Sequence, residues 1–308
     1  MAFPSWPAPR CTPTKPIRLI AASAPGGSVD FVARVIGQKL STSLGQPVVI
    51  DNKAGAAGNI AADLAAKAPA DGYTLLLVAT SHATNINLYS KIGYDPIKDF
   101  APISILNTNF FVVVVPAASS VNKLKELVSL AKLKDRKINY ASAGSGQANH
   151  LGMELLKTIG GFDAVHVPYT SMGAATNALL GGQVDVAILS LSAALPQAKA
   201  GKLKILAMTA QKRSTLLPDV PTVVEAGFPG YELTGWQGLL APAGTPKEVV
   251  DKLSREAAKV LHQPDVVAQL SVVAAEPVGS TPQEFAAFLQ SEITKWGKVI
   301  KQSGAKAE

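Results

Sequence analysis

The chain has few of the groups that do most covalent and metal chemistry. It carries one cysteine, Cys11, in 308 residues, so no internal disulfide can form. Its four histidines are His82, His150, His166 and His262, and no two stand at metal-ligand spacing. There is no Gly-x-Ser-x-Gly elbow and no Gly-Lys-Ser/Thr phosphate loop. Gly144 and Gly146 match the first two positions of a dinucleotide fingerprint, but Asn149 stands where the third glycine belongs. No apolar run approaches the roughly 18 residues that span a bilayer, so a membrane-embedded chain is not expected. Residues 1–14, MAFPSWPAPRCTPT, lack a basic stretch followed by an apolar one and read as an extended tail. An exported chain without its leader and a cytosolic chain both fit that tail.

Charge of either sign is also sparse, at 17% of residues, and aromatics make up 6%. The net charge is +7, but the basic residues are scattered. The densest group, Lys132 to Lys137, falls at the end of a helical pattern, where cations complement the helix dipole. Nucleic acid is therefore not an expected partner. A mild positive bias does help to steer small anions.

What the chain has in quantity is apolar and small residues, with 47% hydrophobic content and 25 glycines. That suits a globular protein with a real core, long enough for two domains. The pattern KPIRLIAASAP reads as a strand, Ile17 to Ala22. Val29, Val32, Val35, Ile36 and Leu40 recur at helical spacing, and Gly45 ends that helix. PVVIDN is a second strand, AGAAGNIAADLAAKA a glycine-started helix, and YTLLLVATS a buried strand. Such alternation predicts a parallel sheet with crossover helices. After the strand FFVVVVP the rhythm restarts: VNKLKELVSLAKL reads as a helix capped by Ser119, Ser120 or Asn122, followed by further strand–loop–helix units up to LKILAMTA. GWQGLLAPAGTP, Gly235–Pro246, reads as a strand returning to the first unit. Two helices close the chain, the second with Thr281 as cap, Pro282 at its first turn and Glu284 three residues after the cap. The expected domains are 15–115 plus 235–308, with 116–234 inserted between two crossings, a layout that suits closure over a ligand.

Four strand-to-helix loops share one character: Ser23–Asp30, Ala79–Asn85, Ser142–His150 and Tyr169–Ala175. All are rich in small residues and hydroxyls. In open α/β sheets ligands sit at the carboxyl ends of the strands, where helix N-termini offer free N–H groups to an anion. The candidate ligand-binding residues are Ser23, Ala24, Gly27, Ser28, Thr80, Ser81, His82, Ser142, Gly144, Ser145, Gly146, His150, Tyr169, Ser190 and Trp236. Each has a plainer reading. The Pro25–Ser28 stretch can be a tight turn with a capping serine, and Asp30 can stabilise a helix start. His150 can be a simple hydrogen-bonding residue, His166 a structural one, and Trp236 core packing. No catalytic residue, metal or cofactor is expected, because neutral polar loops suit holding rather than proton transfer.

Several segments together resemble one family. They are KPIRLI, APGGSVDFVARVIGQKL through ADGYTLLL, NYASAGSGQANHLGMELL, VHVPYTSMGAATNALLGGQVDV, LPDVPTVVEAGFPGYE and WQGLLAPAGTP. The chain is similar in these to the substrate-binding proteins of tripartite tricarboxylate transporters, the TctC or Bug family. The resemblance implies an α/β, two-lobed periplasmic-binding-protein fold of type II-like form. It implies a monomer in the periplasm that captures an organic carboxylate between its lobes and delivers it to membrane transporter subunits. It also implies that the Ala24–Ser28 and Ser142–Gly146 loops hold one carboxylate through backbone N–H groups and bridging waters. Two departures bear on the ligand. Ser23 stands where such proteins usually carry an aromatic, and Leu189 and Ser190 stand where an acidic or amide pair is common. The obvious partner for a ligand ammonium is thereby lost, so the expected ligand is a dicarboxylate without an amino group, aliphatic or aromatic. Two rival readings are an enzyme using Ser145 with His150, and a sensor that shows its closed form to a receptor.

Overall fold

The computed structural model describes residues 13–133, 135–214 and 216–307. Most of the expected tail, with Cys11, lies outside the described residues, as does Lys134 of the basic group. Thr14, at the end of that tail, donates its backbone N–H to the Tyr73 hydroxyl at 3.0 Å. The described chain divides into two compact units. Unit 1 holds the residues up to Thr108 together with Trp236–Gly297. Unit 2 holds Asn109–Gly235 and the residues from Lys298 onward. The end of the chain from Lys298, read from sequence with the first lobe, thus groups with unit 2.

Unit 1 begins β1 (Ile17–Ala21), α1 (Ser28–Leu44), β2 (Val48–Asn52), α2 (Asn59–Ala66), β3 (Thr74–Ala79), α3 (Ser81–Leu88). Strand β1 lies between β2 and β3, parallel to both, with Leu19 opposite Ile50 and Leu75. Because both faces of this sheet are covered, β3 reads as the unbroken apolar run TLLLVA. One face packs on α1, whose Val29, Val32, Ile36 and Leu40 are buried in a single cluster. Gly45 ends α1 at φ 70°, its N–H returning to the Ser41 carbonyl.

Two expectations about unit 1 need correction. The helix read from Ala54 starts only at Asn59. Gly55 and Gly58 take φ of 124° and 95°, and Ala56 and Ala57 are also left-handed, so the segment is a tight turn before the helix. The stretch Ala79–Asn85 is mostly helix rather than loop, because α3 starts at Ser81 immediately after Thr80.

Strand β4 (Phe100–Pro116) carries the chain from unit 1 into unit 2. Unit 2 continues α4 (Leu124–Ala131), β5 (Asn139–Ser142), α5 (Ala148–Gly160), β6 (Val165–Pro168), α6 (Met172–Leu180), β7 (Val186–Ser190), α7 (Leu191–Lys199) and β8 (Leu203–Met208). Strand β5 is parallel to β6 and β7, and β4 is antiparallel to β7 and β8. The N-terminus of α4 is not capped by Ser119, Ser120 or Asn122. Lys123 occupies the cap position, and the Glu126 carboxylate accepts the N–H groups of Asn122 and Lys123 at 2.8 and 3.2 Å.

Strand β9 (Thr234–Pro242) returns the chain to unit 1 and pairs antiparallel with β3. Then follow α8 (Lys247–Leu261), α9 (Pro264–Val272), β10 (Ala275–Pro277) and α10 (Pro282–Ser303). The expected capping box is present: Thr281 Oγ1 accepts the Glu284 N–H at 3.2 Å, and Glu284 accepts the Thr281 N–H at 2.8 Å. Strand β10 and the separate helix α9 have too short a pattern to be read from sequence.

Candidate functional site

In unit 1 the parallel strands β1, β2 and β3 end along one edge. That edge gathers the Ser23–Ser28 loop, Lys53 and Thr80. Asp30 shapes the loop. Its carboxylate is buried and accepts the Gly26 N–H at 2.9 Å, Arg34 Nε at 3.0 Å and Asn52 Nδ2 at 2.9 Å. The Arg34 hydrogen bond is the main reason its carboxyl is lowered to about 2. Both oxygens are consumed inside the protein, so Asp30 builds the loop rather than facing a ligand. Gly27 closes the turn with its N–H on the Ala24 carbonyl, and Ser23 Oγ donates to the same carbonyl, each at 3.2 Å. The backbone N–H groups of Ser28, Val29 and Asp30 have no acceptor among the described residues. They form the first turn of α1 and point along the positive end of its dipole.

Three other predicted residues of unit 1 have structural duties. Thr80 Oγ1 accepts the Trp236 N–H at 3.2 Å and so ties β3 to β9. His82 is buried, stacked on Tyr94 and edge-on to Phe100, with Nε2 hydrogen-bonded to the Pro96 carbonyl. Burial lowers it to about 4, so it is a neutral core group. Trp236 is also core: its indole N–H reaches Glu292 at 3.2 Å, and Phe285 and Phe288 meet it edge-on.

Ser81 does stand at the edge. A Cβ built on Gly58 would lie 3.3 Å from Ala22 Cβ and 3.9 Å from Ser81 Oγ, so the Gly55–Gly58 turn sits against both. This turn is absent from the sequence prediction. Its signal was the glycine pair in GAAG, spaced for two positive-φ positions.

In unit 2 the ends of β5, β6 and β7 bring together Ser142, Tyr169 and Ser190. The Tyr169 N–H bonds the Ser142 carbonyl at 3.0 Å. Ser190 stands at the N-terminus of α7, with Ser192 donating to its hydroxyl at 3.2 Å. The Ser142–Gln147 turn needs glycine twice, at Gly144 with φ 125° and Gly146 with φ 78°. Asn149, also not predicted, accepts the Ala143 and His150 N–H groups at 3.4 and 3.1 Å. The N–H groups of Ser145, Ala148 and Asn149 have no acceptor among the described residues, and Ser145 is exposed.

Two histidines lie beneath this turn. His150 Nδ1 accepts the Gly146 N–H at 3.0 Å, and His166 Nε2 is 2.6 Å from Ser142 Oγ. Their rings stack at 4.0 Å, and Tyr140 stacks on His166 at 4.9 Å. The Tyr140 hydroxyl donates to Glu154, which is ion-paired with Lys157. Burial lowers both histidines, His166 to about 4. His166, read as a structural strand residue, does lie in β6, and from there it also holds the Ser142 end of the turn. The Ser145–His150 pair of the enzyme reading is not formed, because Gly146 takes the only basic nitrogen of His150. Among the described residues no group of three His, Cys, Asp or Glu side chains could hold a metal.

Two α/β units with neutral, donor-rich loops at the carboxyl ends of their strands suit a protein that holds a small anion. Residues 32–305 match the family model of the tripartite tricarboxylate transporter family receptor, TctC. The chain belongs to that family. It is 36% identical to BugT of Bordetella pertussis over 96% of this chain and 91% of that one. An R. palustris protein solved with adipate is 37% identical, with a TM-score of 0.82 over 96% of this chain and 99% of that one. MatC from Rhodopseudomonas palustris, solved with bound malate, is 34% identical, with a TM-score of 0.78 over 94% and 99%. The family is one of transporter receptors rather than enzymes. No described helix is long and apolar enough to cross a membrane.

Proposed function

We propose that this chain is a periplasmic receptor, acting as a monomer, that captures a dicarboxylate without an amino group and delivers it to tripartite-transporter membrane subunits. The observation that carries the reading is the set of unclaimed N–H groups at the starts of α1 and α5. A carboxylate must shed water to bind, and oriented donors replace that water. Hydrogen bonds to a charged group contribute about 1.5–3 kcal/mol each. A handful of them, less the cost of association, gives about −8 kcal/mol, or roughly micromolar affinity. The Ser28 and Ser145 regions supply the donors, with Ser23, Ser81, Tyr169 and Ser190 beside them on their own units. Asp30 and Glu154 are already committed to Arg34 and Lys157, so neither is free for a ligand ammonium. The relatives solved with adipate and malate support the same ligand class.

A thermal-shift panel of mono-, di- and tricarboxylates, aromatic acids and amino acids tests this on ligand-stripped protein. Ligand at about 100 times its Kd adds about 2.7 kcal/mol and raises the melting temperature by several degrees. The expected shift comes from dicarboxylates and not from aspartate or glutamate. A response to amino acids alone would overturn the assignment.

A further inference from the structure

The imidazole pair below the Ser142–Gln147 turn has one consistent proton arrangement. The Gly146 N–H points at His150 Nδ1. That nitrogen must therefore be bare, and the ring proton sits on Nε2. At His166 the Ser142 hydroxyl decides. Ser142 Oγ accepts the Gly144 N–H at 3.1 Å and lies 3.1 Å from the Gly144 carbonyl as donor. It has one proton. If His166 Nε2 carries its own proton and donates, the hydroxyl stays free for the Gly144 carbonyl and all three bonds are made together. The other tautomer costs one of them.

We propose that His150 and His166, both neutral and both protonated on Nε2, are positioning residues of the binding turn. His150 fixes Gly146 and His166 fixes Ser142, and together they aim the Ser145 and Ala148 N–H groups. The consequence for affinity rests on the reading that this turn holds a carboxylate.

The surroundings favour the neutral state. Tyr140 of β5 and His150 of α5 both stack on His166, and Tyr140 lies 6.3 Å from His150 with its ring nearly parallel. Glu154, the nearest carboxylate, is held by Lys157 and the Tyr140 hydroxyl, so it is not free to pair with an imidazolium. The Tyr231 hydroxyl faces Gly152 of the same helix and carries no charge. A proton on His150 Nδ1 would set one N–H against another and release Gly146. Both rings are held below the ordinary histidine range by burial. The turn is therefore anchored at neutral pH and loosens as pH falls below about 6.5.

The test joins NMR of the ligand-free protein with calorimetric titration of adipate. In the native chain the Gly146 amide should shift, and exchange faster, along the imidazole titration. His150→Gln keeps an acceptor but cannot titrate. It should bind adipate within about threefold of native, and its Gly146 amide should lose the pH dependence. His150→Phe keeps a ring in the stack but has no acceptor. It should lose about tenfold in affinity near neutral pH, the worth of one hydrogen bond. A Gly146 amide indifferent to the imidazole titration would overturn the proposal, as would native affinity in His150→Phe. If the native chain binds no carboxylate, the site reading fails on its own. The Gly146 amide of the ligand-free protein still decides the positioning claim.

Discussion

The two donor loops present the same groups but are held by opposite chemistry. In unit 1 a buried, ionised Asp30 ties Gly26, Arg34 and Asn52 together. In unit 2 neutral rings tie Gly146 and Ser142. Each solution suits its strand. Strand β2 ends in Asn52, which can reach an acid on α1. Strand β6 carries His166 two residues before Pro168, at the register that meets Tyr140. The contrast shows that a helix N-terminus can be aimed at an anion by a charge or by an uncharged stack. Only the second responds to protons as pH falls from about 6.5 toward 4.

The strongest way to break the comparison is Asp30→Ala. It leaves the Gly26 N–H, Arg34 and Asn52 without their shared acceptor. We expect a loss of about 2–3 kcal/mol in unfolding free energy, since the bonds lost are charge-assisted. Denaturant melts measure it. A loss under half that would mean the loop is set by its glycines alone.

The second way uses pH. Asp30 is lowered in the folded state, to about 2. Its contribution is full above about pH 4 and is lost only as pH falls toward 2. A histidine lowered in the fold works at higher pH. The unfolded chain binds the proton first, so stability is full above about 6.5 and declines as pH falls toward the folded value. For His166 that value is about 4. His82 in unit 1 is lowered to about 4 as well, so a whole-chain melt mixes the units. Amide exchange separates them: between about pH 6.5 and 4.5, Gly146 should lose protection while Gly26 keeps it. Equal loss at both glycines would remove the distinction.

The smallest expected effect is a control outside both loops. Thr281→Ala removes the cap of α10 and should cost about 1 kcal/mol, leaving ligand affinity unchanged. A drop in affinity with this variant would show that stability and binding cannot be read separately.

Much of the fold was legible because its signals are local. The apolar run of β3, the periodicity of α1 and the Thr281–Glu284 box each lie within one segment. The donor loops were legible for the same reason, through the glycines and hydroxyls after β1 and β5. What was not legible depends on partners far along the chain. His82 looks like a loop residue in sequence, yet Tyr94 and Phe100 enclose it, and of the two readings open for Trp236 on its strand, Phe285 and Glu292 decide for the core. His166 looks structural until β5 places Ser142 beside it. The Gly55–Gly58 turn was hidden by an alanine-rich stretch that also suits a helix, and only the left-handed glycines decide against it.

The most direct measurement is calorimetric titration of adipate, malate and aspartate into the native chain and into Ser28→Trp and Ser145→Trp. The account predicts roughly micromolar binding of a dicarboxylate to the native chain, none of aspartate, and none of any acid to either variant, both of which stay folded. Native affinity in both variants, or aspartate bound as tightly as the dicarboxylates, would contradict it.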